Sequence, residues 1–151
     1  MSVSFNRQAR ILAVLTLLLS CGCFPVSAPF HLYPINSPNS SQPIPCLLRL
    51  RFGWQTMTIT ATLPNGGVFS GSFPTNITPP DRALATYWDQ VFGSGYFNAK
   101  VLGSPKHFRT SLKNNLGDEL LLEMHAIPGD ATGGMEGVAV DGKKGIYKAG
   151  Y

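Results

Sequence analysis

Thr56-Met-Thr-Ile-Thr-Ala-Thr-Leu63 restricts what this chain can become more than any other stretch. Met57, Ile59, Ala61 and Leu63 alternate with threonines, the period of two that sends every second side chain to one face of a strand. β-Branched threonine on the other face suits a pleated, half-wet surface and disfavours a helix. Pro64-Asn65-Gly66-Gly67 follows, and Asn-Gly is a strong hairpin signal because both residues accept positive φ. Val68 to Phe73 then returns as the partner strand, with Phe69 and Phe73 on one face.

The same reading extends along the chain. Leu47 to Phe52 is expected as a preceding strand, and Tyr96 to Leu102 and Lys106 to Leu112 as two later ones. Glu119 to Ile127 is a longer strand in which Leu120, Leu122, Met124 and Ala126 alternate, entered from a turn at Asn114-Asn115-Leu116-Gly117. Gly129 to Gly134 is a bend, and Met135 to Val140 with Gly145 to Lys148 makes a last hairpin around Asp141-Gly142. Ala83 to Phe92 departs from the pattern. Leu84, Tyr87, Trp88 and Val91 fall at helical spacing, with Asp81 near the cap and Gly93-Ser94-Gly95 as the stop; an irregular aromatic loop is the alternative. Seven or eight short strands at hairpin spacing imply an all-β, mainly antiparallel sandwich or small barrel with one short helix or aromatic loop.

Part of this region resembles an uncharacterised group of small exported proteobacterial proteins. The similarity runs over about residues 56–151. It is carried by Leu63-Pro-Asn-Gly-Gly-Val-Phe-Ser-Gly71, by Gly117, Leu120, Leu122, Glu123 and Met124, and by Gly134-Met-Glu-Gly-Val-Ala-Val-Asp-Gly-Lys-Lys-Gly-Ile-Tyr147. The resemblance implies a β fold and export and brings no activity with it. Leu122, Met124 and Ala139 stand near positions where the group carries cysteine, so no bridge is implied there.

The amino end addresses the chain elsewhere than the cytosol. Arg7 and Arg10 precede an apolar core from Ile11 to Leu19 broken only by Thr16, the layout of a secretory signal. Nine helical residues rise only ~14 Å, against ~30 Å of hydrocarbon, so the core is too short to span. Leu18-Leu19-Ser20-Cys21 resembles the lipobox of bacterial lipoproteins, with Leu18 at −3, Ser20 at −1 and Cys21 as the modified residue. That resemblance implies cleavage before Cys21, diacylglycerol on its thiol and acylation of the new amino end. Two or three acyl chains anchor a protein stably where one is marginal. Gly22, where aspartate would signal inner-membrane retention, implies delivery to the outer membrane, facing the periplasm. Two rival sites fit less well: Cys23 has Ser20 at −3, and cleavage after Val26-Ser27-Ala28 would leave Pro29 behind the cut.

The expected organisation is a signal at 1–20, a lipidated proline-rich tether at 21–45 and a β domain at 46–151. The tether carries six prolines and no charged side chain, which suits an extended spacer. With Cys21 lipidated, Cys23 and Cys46 remain as a candidate disulfide. Beyond the signal the basic residues are scattered, with only Lys143-Lys144 adjacent, which is no nucleic-acid footprint.

No motif for catalysis or for a cofactor stands out. His107 and His125 are expected at the surface or on an edge strand, and no carboxylate sits at a spacing that would orient either. Asp118, Glu119 and Glu123 could be paired carboxylates for sugar chemistry, but Asp118 and Glu119 flank a turn at an exposed strand start, where charges solvate an edge. Met57, Met124, Met135, His125 and Cys46 would form a soft-metal set only if the fold gathered them. The cluster of Tyr87, Trp88, Phe92, Tyr96 and Phe97 either fills a core or stacks a sugar or small ligand, with Tyr87, Trp88 and Tyr96 as the binding residues. The expected function is a non-enzymatic envelope lipoprotein, held to the membrane through Cys21, whose β domain meets an envelope protein or glycan. Binding of a glycan or small molecule through the aromatic cluster is the alternative.

Overall fold

The computed structural model describes residues 26–36, 42–50, 56–62, 67–74, 78–131 and 133–150. The signal, Cys21, Cys23 and the Asn65-Gly66 turn lie outside them. Eight antiparallel strands form one closed barrel in sequence order. They are β1 (Val26–Asn36), β2 (Ile44–Leu50), β3 (Thr56–Thr62), β4 (Val68–Pro74), β5 (His107–Lys113), β6 (Glu119–Ala126), β7 (Met135–Asp141) and β8 (Ile146–Gly150). Of the two architectures expected, the barrel is the one formed.

Alternation decides what fills the interior. Met57, Ile59 and Ala61 of β3 face inward with Phe69 and Phe73 of β4, and β6 contributes Leu120, Leu122 and Met124. β3 and β4 pair residue for residue from Thr56↔Pro74 to Thr62↔Val68. Phe73 stacks on Phe108 of β5 with ring centroids 4.3 Å apart. The interior is thus a side-chain core, as befits a barrel of this strand number.

Two inward glycines let the wall curve. A Cβ on Gly71 would come within 2.5 Å of the Ser111 carbonyl oxygen, and one on Gly137 would collide with the Glu123 carbonyl and the Met124 side chain. Neighbouring strands occupy the space that a side chain would take, as at the corners of tightly coiled barrels.

The domain reaches further back than the sequence suggests. β1 lies in the stretch read as tether, with Phe30 and Leu32 in the core. It pairs with β2 over residues 26–32 and with β8 over residues 31–36, closing the barrel. Pro29 and Pro34 each fall where β1 has only one neighbour, the setting in which a strand tolerates a missing N–H. Without β1, β2 and β8 would be open edges.

A second correction concerns residues 96–102. Instead of a strand they contain a π-helical turn, Phe97–Val101. It follows a 3₁₀ turn at Arg82–Leu84 and the helix α1 (Ala85–Phe92). The Asp89 carboxylate accepts the N–H groups of Phe97 and Gly95, both at 3.0 Å, and so holds the second turn onto the first. Those bonds, the one from Phe97 foremost, lower the Asp89 pKa below the usual carboxylate value.

Cys46 faces the barrel interior and, among the described residues, is a free thiol donating to the Ile44 carbonyl at 3.6 Å. Burial pushes its pKa up to about 12. A thiolate is the reactive form, so native protein should leave Cys46 unmodified by iodoacetamide at neutral pH. Labelling should follow global unfolding. A bridged Cys46 would instead resist alkylation after unfolding unless a reductant were added, which mass spectrometry distinguishes.

Candidate functional site

The outer face of β5, β6 and β7 carries the polar residues that the interior excludes. His107 sits opposite His125, Arg109 opposite Glu123, and Glu123 opposite Val138, while His125 faces Glu136. On an uncovered barrel these side chains would meet water. Here residues 78–102 fold back over them, and Leu84, Trp88, Phe97 and Val101 pack on Val138 as a second small core.

Glu123 is the centre of the arrangement. It is fully buried and accepts the Asp81 backbone N–H at 2.9 Å and the Trp88 indole N–H at 2.6 Å. His107 Nε2 stands 3.1 Å from Glu123 Oε1. His107 Nδ1 lies 2.5 Å from the Thr78 carbonyl oxygen, which can only accept, so this nitrogen carries the proton. Asp81 works twice more: its carboxylate accepts the Ala83 N–H at 2.9 Å, capping the 3₁₀ turn, and pairs with Arg109. A strand carboxylate thereby ties down both the start of the covering segment and its central tryptophan.

His125 lies beside this cluster with no solvent exposure. Neither ring nitrogen makes a hydrogen bond among the described residues, and Nε2 is 3.4 Å from Glu136 Oε1. Its ring meets Trp88 edge-on at 5.2 Å and Tyr96 at 6.2 Å. Burial lowers the His125 pKa, with Glu136 opposing and His107 adding to the fall. The Tyr96 hydroxyl donates to Glu136, and burial first, then that carboxylate, raise the Tyr96 pKa.

Two grooves flank the 127–134 connection. One, of about 470 Å³, is lined by Ile127, Asp130, Met135, Glu136 and Lys148 among others. The second, of about 420 Å³, lies between Lys100, Ser104, Pro105 and Lys106 on one side and Ile127 and Pro128 on the other.

Several expectations change accordingly. His107 and His125 are buried rather than exposed, and each has a carboxylate within reach. Glu123, weighed as a carboxylate for sugar chemistry, is a buried hub whose oxygens accept from Asp81 and Trp88. Trp88 is fully buried, so it offers no open face on which a sugar could stack. Tyr87 and Tyr96 are half-buried at the margin of the second core. The soft-metal set is divided by the barrel wall: Met57, Met124, Met135 and Cys46 belong to the interior, and His125 lies outside it. Among the described residues, no group of three or more His, Cys, Asp or Glu side chains is placed to hold a metal.

Glu123 and His125 could have been suspected from one signal. β6 carries Leu121 among its outward positions, so its outer face was never purely polar and required a cover. No protein-family model, curated protein or solved structure matches the chain.

Proposed function

We propose that this chain is an envelope lipoprotein, anchored through acyl chains on Cys21, whose barrel acts by surface interaction rather than by catalysis. The sequence Leu18-Leu19-Ser20-Cys21 behind its apolar core carries the reading, and the start of β1 at Val26 sets how such an anchor would hold the barrel. Only four residues, Gly22 to Pro25, separate Cys21 from the barrel, five residue steps that span at most about 18 Å when fully extended. A lipid on Cys21 would therefore hold the barrel wall close to the bilayer, with no long stalk between. Two further features favour an interaction role. The interior is occupied by core side chains, and the Glu123 carboxylate is engaged by the Asp81 N–H and the Trp88 indole N–H in seating the covering helix.

Mass spectrometry of the native amino end is the direct test. An acylated cysteine at residue 21 is expected, with partition into detergent that Cys21→Ala abolishes. An unacylated chain, or one beginning at Pro29, would overturn the proposal.

A second reading is favoured by one observation: Glu136, held by Tyr96, lines the groove of about 470 Å³. A small ligand would bind there, at the edge of the aromatic cluster and not on Trp88.

A further inference from the structure

In an antiparallel barrel the starts of odd strands and the ends of even strands share one end. Val26, where β1 begins, therefore shares its end with His107, Ala126, Met135 and Gly150. The groove of about 420 Å³ opens at that end, formed by the segments that lead into β5 and out of β6. Lys100 and Lys106 stand on one wall, with Ser104 between them in sequence. Pro105, Pro128 and Ile127 give the same groove an apolar lining, and Leu102 nearby is 39 % exposed.

Cations set among exposed apolar side chains suit a membrane interface. The ammonium groups meet phosphate while the hydrocarbon parts enter the headgroup layer. Asp130 also lines the groove and its Oδ2 accepts the Gly134 N–H at 2.9 Å, so one carboxylate stands among the two ammonium groups and the lining keeps a net positive charge. The opposite end is balanced, with Lys113, Lys143 and Lys144 interspersed among Asp118, Glu119 and Asp141.

We infer that the Val26 end of the barrel is a docking surface for anionic phospholipid, taking headgroup phosphate between Lys100 and Lys106 with Leu102 and Pro128 against the interfacial hydrocarbon. Its orientation rests on the anchor reading above, since a lead of only four residues between Cys21 and Val26 turns this end toward the bilayer. Anchor and surface would then act as two signals on one face.

The test uses the chain from residue 21 onward with Cys21→Ser, so that no acyl group contributes. Sedimentation with vesicles of phosphatidylcholine alone is compared with vesicles containing phosphatidylglycerol, at low ionic strength. Binding is expected only to the anionic vesicles, with release at about 0.5 M salt, where the screening length falls to a few Å. Lys100→Gln and Lys106→Gln should each weaken it about fivefold, on the order of 25-fold together. Lys143→Gln with Lys144→Gln at the far end should leave it unchanged.

Equal binding to both vesicles, no binding to either, or equal loss in the two double variants would each overturn the inference. The anchor is judged separately by the mass of the native amino end. An acylated native chain whose unacylated form ignores phosphatidylglycerol refutes the docking surface alone. An unacylated native chain that still binds phosphatidylglycerol through Lys100 and Lys106 refutes the anchor alone.

Discussion

Glu123→Leu should lower the unfolding free energy by about 3–5 kcal/mol, the range expected when one member of a buried polar cluster is removed and its partners stay behind. The side chain is about the right size for leucine, so loss of packing contributes little. The cost comes from two groups stranded without solvent: the Asp81 N–H and the Trp88 indole N–H. Each buried unsatisfied donor or acceptor costs about 1–3 kcal/mol. Replacing every member together with apolar groups could be neutral, but a single replacement is not.

Glu123→Gln separates charge from shape. Its oxygen can still accept from Trp88 or from Asp81, while its amide group donates where an acceptor is needed, so an intermediate loss is expected. Urea denaturation followed by far-UV circular dichroism gives both values. Amide exchange locates the effect: protection in residues 82–101 should fall before that of β3 and β4, because Glu123 binds the covering segment and the barrel core does not depend on it. A leucine variant within about 1 kcal/mol of the parent would show that the cluster contributes nothing net to docking.

What could be read from the sequence was local. The alternation at Thr56–Thr62, the returning Val68–Phe73 strand and the Asp141-Gly142 hairpin are set by neighbours within a few residues, and their periodicity is visible in the letters. The helix at Ala85–Phe92 was legible for the same reason, through Leu84, Tyr87, Trp88 and Val91. Residues 97–101 were not. Phe97, Ala99 and Val101 alternate like a strand, but Phe97 and Val101 also stand four apart on one helical face, and the Asp89 carboxylate decides between them. β1 was obscured by its prolines, whose tolerance depends on which barrel neighbour is missing at each position.

The candidate site was harder still. Trp88 and Glu123 are 35 residues apart, and Asp81 and Glu123 are 42 apart. A glutamate on the outer face of a strand looks solvated until something remote covers it. The two histidines share that history: they are opposite one another only because β5 and β6 take the register that pairs His107 with His125. Once the segment 78–102 closes over that face, they change from surface groups into buried titratable ones.

That change has a consequence in acid. Burial holds the His125 pKa below its ordinary value of 6.5, so the folded protein keeps this ring neutral at pH values where the unfolded chain takes up a proton. Stability from this site is therefore complete above about pH 6.5 and is lost as the pH falls below it, down to the folded pKa. The slope for one such group is at most about 1.4 kcal/mol per pH unit. Between pH 7 and pH 5 the loss should reach up to about 2 kcal/mol, a sizeable part of a total of about 5–15.

The groups facing His125 set the sign. Glu136 favours the imidazolium, His107 across the ladder opposes it, and the Trp88 and Tyr96 rings exclude water. His125→Phe keeps an aromatic ring in the same site and removes the proton. Its unfolding midpoint in urea should fall less steeply between pH 7 and pH 5 than that of the parent, the difference isolating His125 from His31 and His107, which both proteins retain. If the two slopes coincide, His125 does not titrate differently on folding. If the variant is the steeper, the ring is charged in the fold, and Glu136 rather than burial governs it.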